Sequence, residues 1–168
     1  GKTTGTPISL IVYNNNQRSY DYSELAQCYR PGHADYTYDQ KYGFRDYRGG
    51  GRSSGRETTA RVAAGAIAKK ILSELNVNIL TYTLSIGDIK IDKSKFDASQ
   101  IFENFLGMPD PEAAKKAAEF LTLQKANEDS SGGIIECVVT GLPSGVGEPV
   151  FEKLDAMLGR AILSIGAV

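Results

Sequence analysis

Three consecutive glycines, Gly49-Gly50-Gly51, lead through Arg52-Ser53-Ser54-Gly55-Arg56-Glu57 into a helix-forming run, and this junction limits the fold more tightly than anything else in the chain. Ser54-x-x-Glu57 has the spacing of a capping box, in which each side chain satisfies a free backbone N–H of the first turn. From Ala60 to Leu75 the chain is rich in Ala, Ile and Leu and holds no proline, so a long helix is expected. A glycine-rich loop feeding a helix N-terminus presents bare N–H groups and a positive dipole end to an anion. Arg52, Arg56 and Arg61 add fixed charge suited to bidentate phosphate binding. The same residues also read as a solvated helix cap, and the loop alone does not decide between the two.

The basic cluster is local. Nineteen Lys and Arg against 20 Asp and Glu leave a formal net charge of -1, with no global pull towards nucleic acid or membrane. No apolar run reaches the length of a membrane span, and no signal-peptide pattern begins the chain. Cys28 and Cys137 stand far apart without C-x-x-C spacing, which argues against a disulfide framework or a zinc site and suits a reducing cytoplasm. At 168 residues the chain is long enough for one domain with its own core, so residues 1–168 are read as a single domain.

In chain order, Ile8 to Tyr13 reads as a strand between Pro7 and Asn14-Asn15-Asn16. Gln17 to Asp46 is polar, carries six tyrosines among charges, and shows neither helical nor strand period, so an ordered loop is expected. Val77 to Leu84 alternates as a strand, Gly87-Asp88 turns, and Ile89-Lys90-Ile91 is a second strand. Asp97 to Leu106 suggests a short helix. Asp110-Pro111-Glu112 starts a helix to about Asn127, with Asp as cap and Pro at the first helical position. Ile134 to Thr140 is a strand. The loop from Gly141 to Pro149 precedes a last helix whose stripe of Phe151, Leu154, Met157, Leu158, Ala161, Ile162 and Ile165 reads as core packing. Strands and helices mix without strict alternation, which favours α+β.

His33 is the sole histidine and follows Pro31-Gly32 in a turn. Such a loop histidine is more often solvated or structural, although its titration near neutrality suits proton traffic. His33-x-Asp35 offers two metal ligands without a third, so no metal is expected. Gly50-x-x-x-x-Gly55-Arg56-Glu57 is P-loop-like, but Arg replaces the Lys and Glu stands in the Ser/Thr place, so that reading is rejected. The tract Tyr47-Arg48-Gly49-Gly50-Gly51-Arg52 has the look of an arginine-glycine RNA-binding module, opposed by the near-zero net charge and the immediate entry into a helix.

Several longer motifs then coincide. Arg30-Pro31-Gly32-His33-Ala34-Asp35-Tyr36, Tyr47-Arg48-Gly49-Gly50-Gly51-Arg52-Ser53-Ser54, Arg56-Glu57-Thr58 and Arg61-Val62-Ala63-Ala64-Gly65-Ala66 resemble the central signatures of the chorismate synthase family. Gly141-Leu142-Pro143, Gly147-Glu148-Pro149-Val150-Phe151, Leu154-Asp155-Ala156 and Ser164-Ile165 are similar to its later ones. The resemblance implies a β-α-β sandwich with helices between antiparallel sheets, a homotetramer, and a phosphate lyase of aromatic amino acid biosynthesis. The implied reaction is a 1,4-anti elimination of phosphate from 5-enolpyruvylshikimate 3-phosphate, requiring reduced FMN without net redox change.

Residue by residue, the resemblance implies that His33 lies at the flavin as a proton donor or hydrogen-bond partner. Arg52, Ser53 and Ser54 would contact FMN, with Gly166 and Ala167 as a second flavin contact. Arg30 and Arg61 would face the anionic substrate. The family's earlier Gly-Glu-Ser-His-Gly motif and its C-terminal aspartate near the flavin have no counterpart in this sequence. The expectation is a central fragment, inactive by itself, with a non-catalytic fragment as the alternative.

Overall fold

A computed structural model describes residues 2–168. These form two compact units, one made of residues up to Ile71 together with Ser144–Val168, the other of Leu72–Pro143.

The second unit holds the core. Strand β1 (Asn78–Ile86) pairs antiparallel with β2 (Ile89–Lys90) through the Gly87-Asp88 turn, and with β3 (Gly133–Thr140) along its other edge, in the order β2-β1-β3. The register runs from Asn78 opposite Thr140 to Ile86 opposite Gly133, with a bulge between Thr83 and Ser85. Gly87 sits at φ 54°, where an added Cβ would stand 2.8 Å from the Phe120 ring, so the tight turn requires glycine.

Helix α3 (Pro111–Ala126) starts as its sequence predicts. Asp110 accepts hydrogen bonds from the Glu112 and Ala113 N–H groups at 3.0 and 3.2 Å, and its other oxygen accepts from Asp92 N–H at 3.0 Å. Burial raises the Asp110 carboxyl pKa, but these backbone donors outweigh it and the net shift is downward. The small face Ala113, Ala114 and Ala117 lets the helix pack against Tyr82, Ile91, Ile101 and Met108. The expected short helix between Asp97 and Leu106 is a 3-10 turn, Ala98–Phe102.

The first unit departs further from expectation. Ile8 to Tyr13 is not a strand: it pairs with nothing among the described residues, and Ile11 and Val12 are mostly exposed. A strand needs a neighbour to take its backbone groups. The polar stretch expected as a loop instead carries helix α1 (Asp35–Tyr42) and two 3-10 turns, Ser19–Tyr22 and Glu24–Ala26. Without an apolar stripe, α1 is held by ion pairs, with Asp35 in the first turn where the helix dipole favours a carboxylate, and by Gly43 as a left-handed C-cap.

Helix α2 (Glu57–Glu74) forms as expected. The loop after Pro143 contains a short ribbon, β4 (Gly147–Glu148) with β5 (Glu152–Lys153), before α4 (Leu154–Leu163). The apolar stripe of α4 is not core: none of its residues is buried, and Phe151 and Leu163 are largely exposed. Helices with antiparallel sheets make the chain α+β, as expected. No helix among the described residues is long and apolar enough to cross a membrane.

Candidate active site

The glycine run shapes the site first. Gly49, Gly50 and Gly51 all have positive φ, 146°, 84° and 50°, a path that residues with a Cβ rarely follow. The loop satisfies several of its own donors. Gly50 N–H donates to Asp46, Ser53 N–H to Gly50, Ser54 N–H to Gly51 and Glu57 N–H to the Ser54 carbonyl. The expected array of bare N–H groups is therefore narrower than the sequence suggests, and side chains carry more of the site's charge.

The capping box does not form. Helix α2 begins at Glu57 itself, so Ser54 lies too far upstream to cap it, and its Oγ accepts from Arg56 N–H at 3.3 Å. The Glu57 carboxylate turns instead to Arg52, whose Nη1 donates to Oε2 at 2.7 Å. That bond raises the Arg52 pKa further above its ordinary value.

A cavity of about 480 Å³ opens beside this loop, within the roughly 300–1,000 Å³ of small-molecule sites. His33, Arg52, Ser53, Ser54 and Arg61 line it, and Gly166 and Ala167 close it beyond α4. These seven residues come from three stretches of the chain, at His33, Arg52 to Arg61 and Gly166 to Ala167, and share one wall only through folding. Arg61 Nη1 donates to Ser164 Oγ at 2.6 Å, which ties α2 to the end of α4. Tyr38 and Glu57 also line the cavity and were not anticipated there. Arg56 faces a smaller cavity of about 200 Å³ with Arg18 and Arg48.

Arg30 is not among the residues lining the larger cavity. Its guanidinium is spent behind His33, where Nε and Nη2 donate to Asp35 Oδ2 and Oδ1 at 2.8 and 2.9 Å. Arg30 N–H also donates to Oδ2, at 3.0 Å. Asp35 is 3% exposed, His33 Nδ1 lies 3.0 Å from its Oδ1, and Arg45 Nη1 lies 3.3 Å from the same oxygen. The Arg30 fork holds the Asp35 carboxyl well below the usual carboxylate range, against the opposing effect of burial. Arg45 continues the network to Asp39 and, through Nη2, to the carbonyls of Leu25 and Cys28. The sequence signal for Asp35 is weak: an acidic residue five positions after an arginine, where a turn meets a helix.

The Tyr47–Arg52 tract is not a free arginine-glycine arm. Gly50 is buried, Gly51–Ser53 is a 3-10 turn, and Arg52 is paired with Glu57. The RNA-binding reading is therefore withdrawn: the tract is folded into the cavity wall.

The chain is folded as α+β, with a basic, serine- and glycine-lined cavity at a helix start. A solved structure described as chorismate synthase matches it with a TM-score of 0.69 at 31% identity, over 80% of this chain and 45% of that one. The family model for chorismate synthase matches residues 1–168. The chain belongs to the chorismate synthase family.

Among curated relatives, the chorismate synthases of Agathobacter rectalis and Lachnospira eligens are each 64% identical over 168 residues. That of Lachnoclostridium phytofermentans is 62% identical over the same length. In each case the match covers 100% of this chain and 46% of the relative, so the chain spans about half the length of the curated relatives it matches.

Proposed function

We propose that this chain forms part of the active site of a chorismate synthase, a phosphate lyase that eliminates phosphate in 1,4-anti fashion from 5-enolpyruvylshikimate 3-phosphate. The observation that carries the reading is the family match over residues 1–168, joined to a cavity lined by His33, Arg52, Ser53, Ser54 and Arg61. The donor set fits reduced FMN: hydroxyls and a guanidinium for a phosphate, small residues at Gly166 and Ala167 for close approach of a flat ring, and one titratable imidazole. Reduced FMN, when bound, supplies electron density that helps expel the phosphate.

The residues of this chain bind, orient and move protons. Arg52, Ser53 and Ser54 would hold the cofactor's polar groups, Gly166 and Ala167 would pack against it, and His33 would supply a proton or hydrogen bond at the ring. Arg61 would balance the anionic substrate, while Arg30, paired with Asp35, would brace the turn behind His33. The protein's task is to place charge and exclude water around the cofactor's chemistry. The proposal includes a single domain over residues 1–168, a cytoplasmic homotetramer, a small-molecule substrate, and neither nucleic acid nor membrane as partner.

The test is an anaerobic assay of the intact gene product containing this sequence, with reduced FMN and 5-enolpyruvylshikimate 3-phosphate. Chorismate formation is expected. No chorismate under reducing conditions overturns the reading. His33→Ala should lower turnover more than it weakens substrate binding, because a proton donor acts mainly in the transition state.

A further inference from the structure

We propose that the turn before helix α3 is a contact between two copies of this chain, with Phe102 of each copy seated in an apolar cavity beside α3 of the other. This goes beyond the reading above and depends on neither the cofactor nor the reaction.

The turn is built to hold its aromatics outward. Ile101 is buried in the core and Leu106 packs against that core. Their neighbours Phe102 and Phe105 therefore face water, each 86% exposed. Asn104 fixes the path between them. Its Nδ2 donates to the carbonyls of Gln100 and Met108 at 2.7 and 2.8 Å, and its Oδ1 accepts from Met108 N–H at 3.2 Å. Thr83 on β1 adds two bonds, Oγ1 to the Leu106 carbonyl at 2.6 Å and N–H to the Gly107 carbonyl at 2.9 Å. Large apolar groups held this firmly in water mark a contact surface.

The complement lies beside them. A cavity of about 250 Å³ is walled by Phe105, Leu106, Pro111 and the small residues Ala114 and Ala118 of α3. An apolar cavity of about 150 Å³ already admits a benzene ring, so this one has room for a phenylalanine side chain. Phe102 is not among its lining residues and leaves the cavity of its own chain open.

Charge selects a second copy as the occupant. Glu103 and Lys115 both line the cavity and are exposed. Neither has an ion-pair partner among the described residues. Glu112, one turn before Lys115, is taken by Lys95 at 2.6 Å. A two-fold contact is reciprocal, so Glu103 of each copy can face Lys115 of the other while each Phe102 enters the opposite cavity. The aromatic anchors supply most of the affinity, and the rim charges set register and salt dependence.

The experiment is sedimentation velocity on the intact gene product over a dilution series, at low and high salt. F102D should raise the dissociation constant of the contact at least about tenfold, because it places a carboxylate in an apolar socket. E103K alone and K115E alone should each weaken it roughly threefold to tenfold at low salt, by setting like charges opposite in both symmetric pairs. An equimolar mixture of these two variants should associate again, since in a mixed pair both contacts join opposite charges. Both charged sites are exposed, so these variants fold even where F102D does not. Recovery in the mixture is a signature that a contact within one chain, or with a different protein, does not give. A folded F102D that associates like the parent, or a mixture no tighter than its components, overturns the proposal and gives the face to another occupant. A gene product that makes chorismate without this contact defeats the present proposal alone. One that pairs through this face yet makes no chorismate defeats only the functional reading.

Discussion

Arg52 reaches the cavity already paired, with Glu57 Oε2 2.7 Å from its Nη1 and its side chain 82% exposed. So open an ion pair adds little stability, and under the proposed function it holds the guanidinium for a ligand phosphate. In the intact gene product Arg52→Ala should cost roughly 1.5–3 kcal/mol of FMN affinity, the range for a charge-assisted hydrogen bond. Arg52→Lys should recover only part, since it lacks the planar fork. Glu57→Gln should strengthen FMN binding by freeing the arginine. Titration of FMN fluorescence quenching measures all three, and an unchanged affinity in Arg52→Ala would remove it from the site. Asp35 belongs to this scale too. Its native carboxyl lies below its ordinary value of about 3.9. A depressed native pKa gives stability that is present above the unfolded value and lost as pH falls through the native one. Thermal melts should therefore drop steeply below about pH 4, and less steeply in Asp35→Asn, which has no charge to lose.

At the scale of elements, two helix starts show how much of a cap a sequence contains. Asp110-Pro111 behaves as written, because Asp110 directly precedes the first turn and its oxygens meet the Glu112 and Ala113 N–H groups. Ser54-x-x-Glu57 has equally good spacing, yet Arg52 offers Glu57 a cationic partner and the helix starts two residues later than the box requires. A charged donor outcompetes a backbone N–H for a carboxylate. Asp110→Ala should destabilise by about 2 kcal/mol, the upper end for an N-cap, because the buried residue also takes the Asp92 N–H. Urea denaturation of the intact gene product would show it as a lower midpoint at unchanged slope, and a loss no larger than that of an exposed Asp→Ala change would refute the capping role. Helix α1 escaped prediction for a related reason: its order comes from Asp35, Asp39, Arg30 and Arg45, and ion pairs across a turn leave no hydrophobic period to read.

Across the whole chain, apolar surface remains uncovered. Ile134 and Ile135 on β3, Phe151, Leu163 and the Ile8–Tyr13 run are largely exposed, which is more than a solitary domain keeps in water. A polypeptide of these 168 residues alone is expected to self-associate in light scattering. It should also release no phosphate above blank in an anaerobic assay with reduced FMN, for it spans about half the length of the curated relatives it matches. Turnover near that of the intact gene product would sink this expectation.

By itself the sequence determined the helices at α2 and α3, the β1–β2 turn at Gly87, the β3 strand and the motifs that place the chain in its family. Those are local choices, settled by propensity, glycine conformation and caps within a few residues. Only the tertiary structure decided that Ile8–Tyr13 has no strand partner among the described residues, that the α4 stripe is uncovered, and that Glu57 serves Arg52 rather than Ser54. It also decided that Arg61 meets Ser164 and that Gly166 and Ala167 share a cavity with His33. Pairing, burial and the choice among competing donors depend on groups far apart in the chain, and no local pattern records which of them arrives.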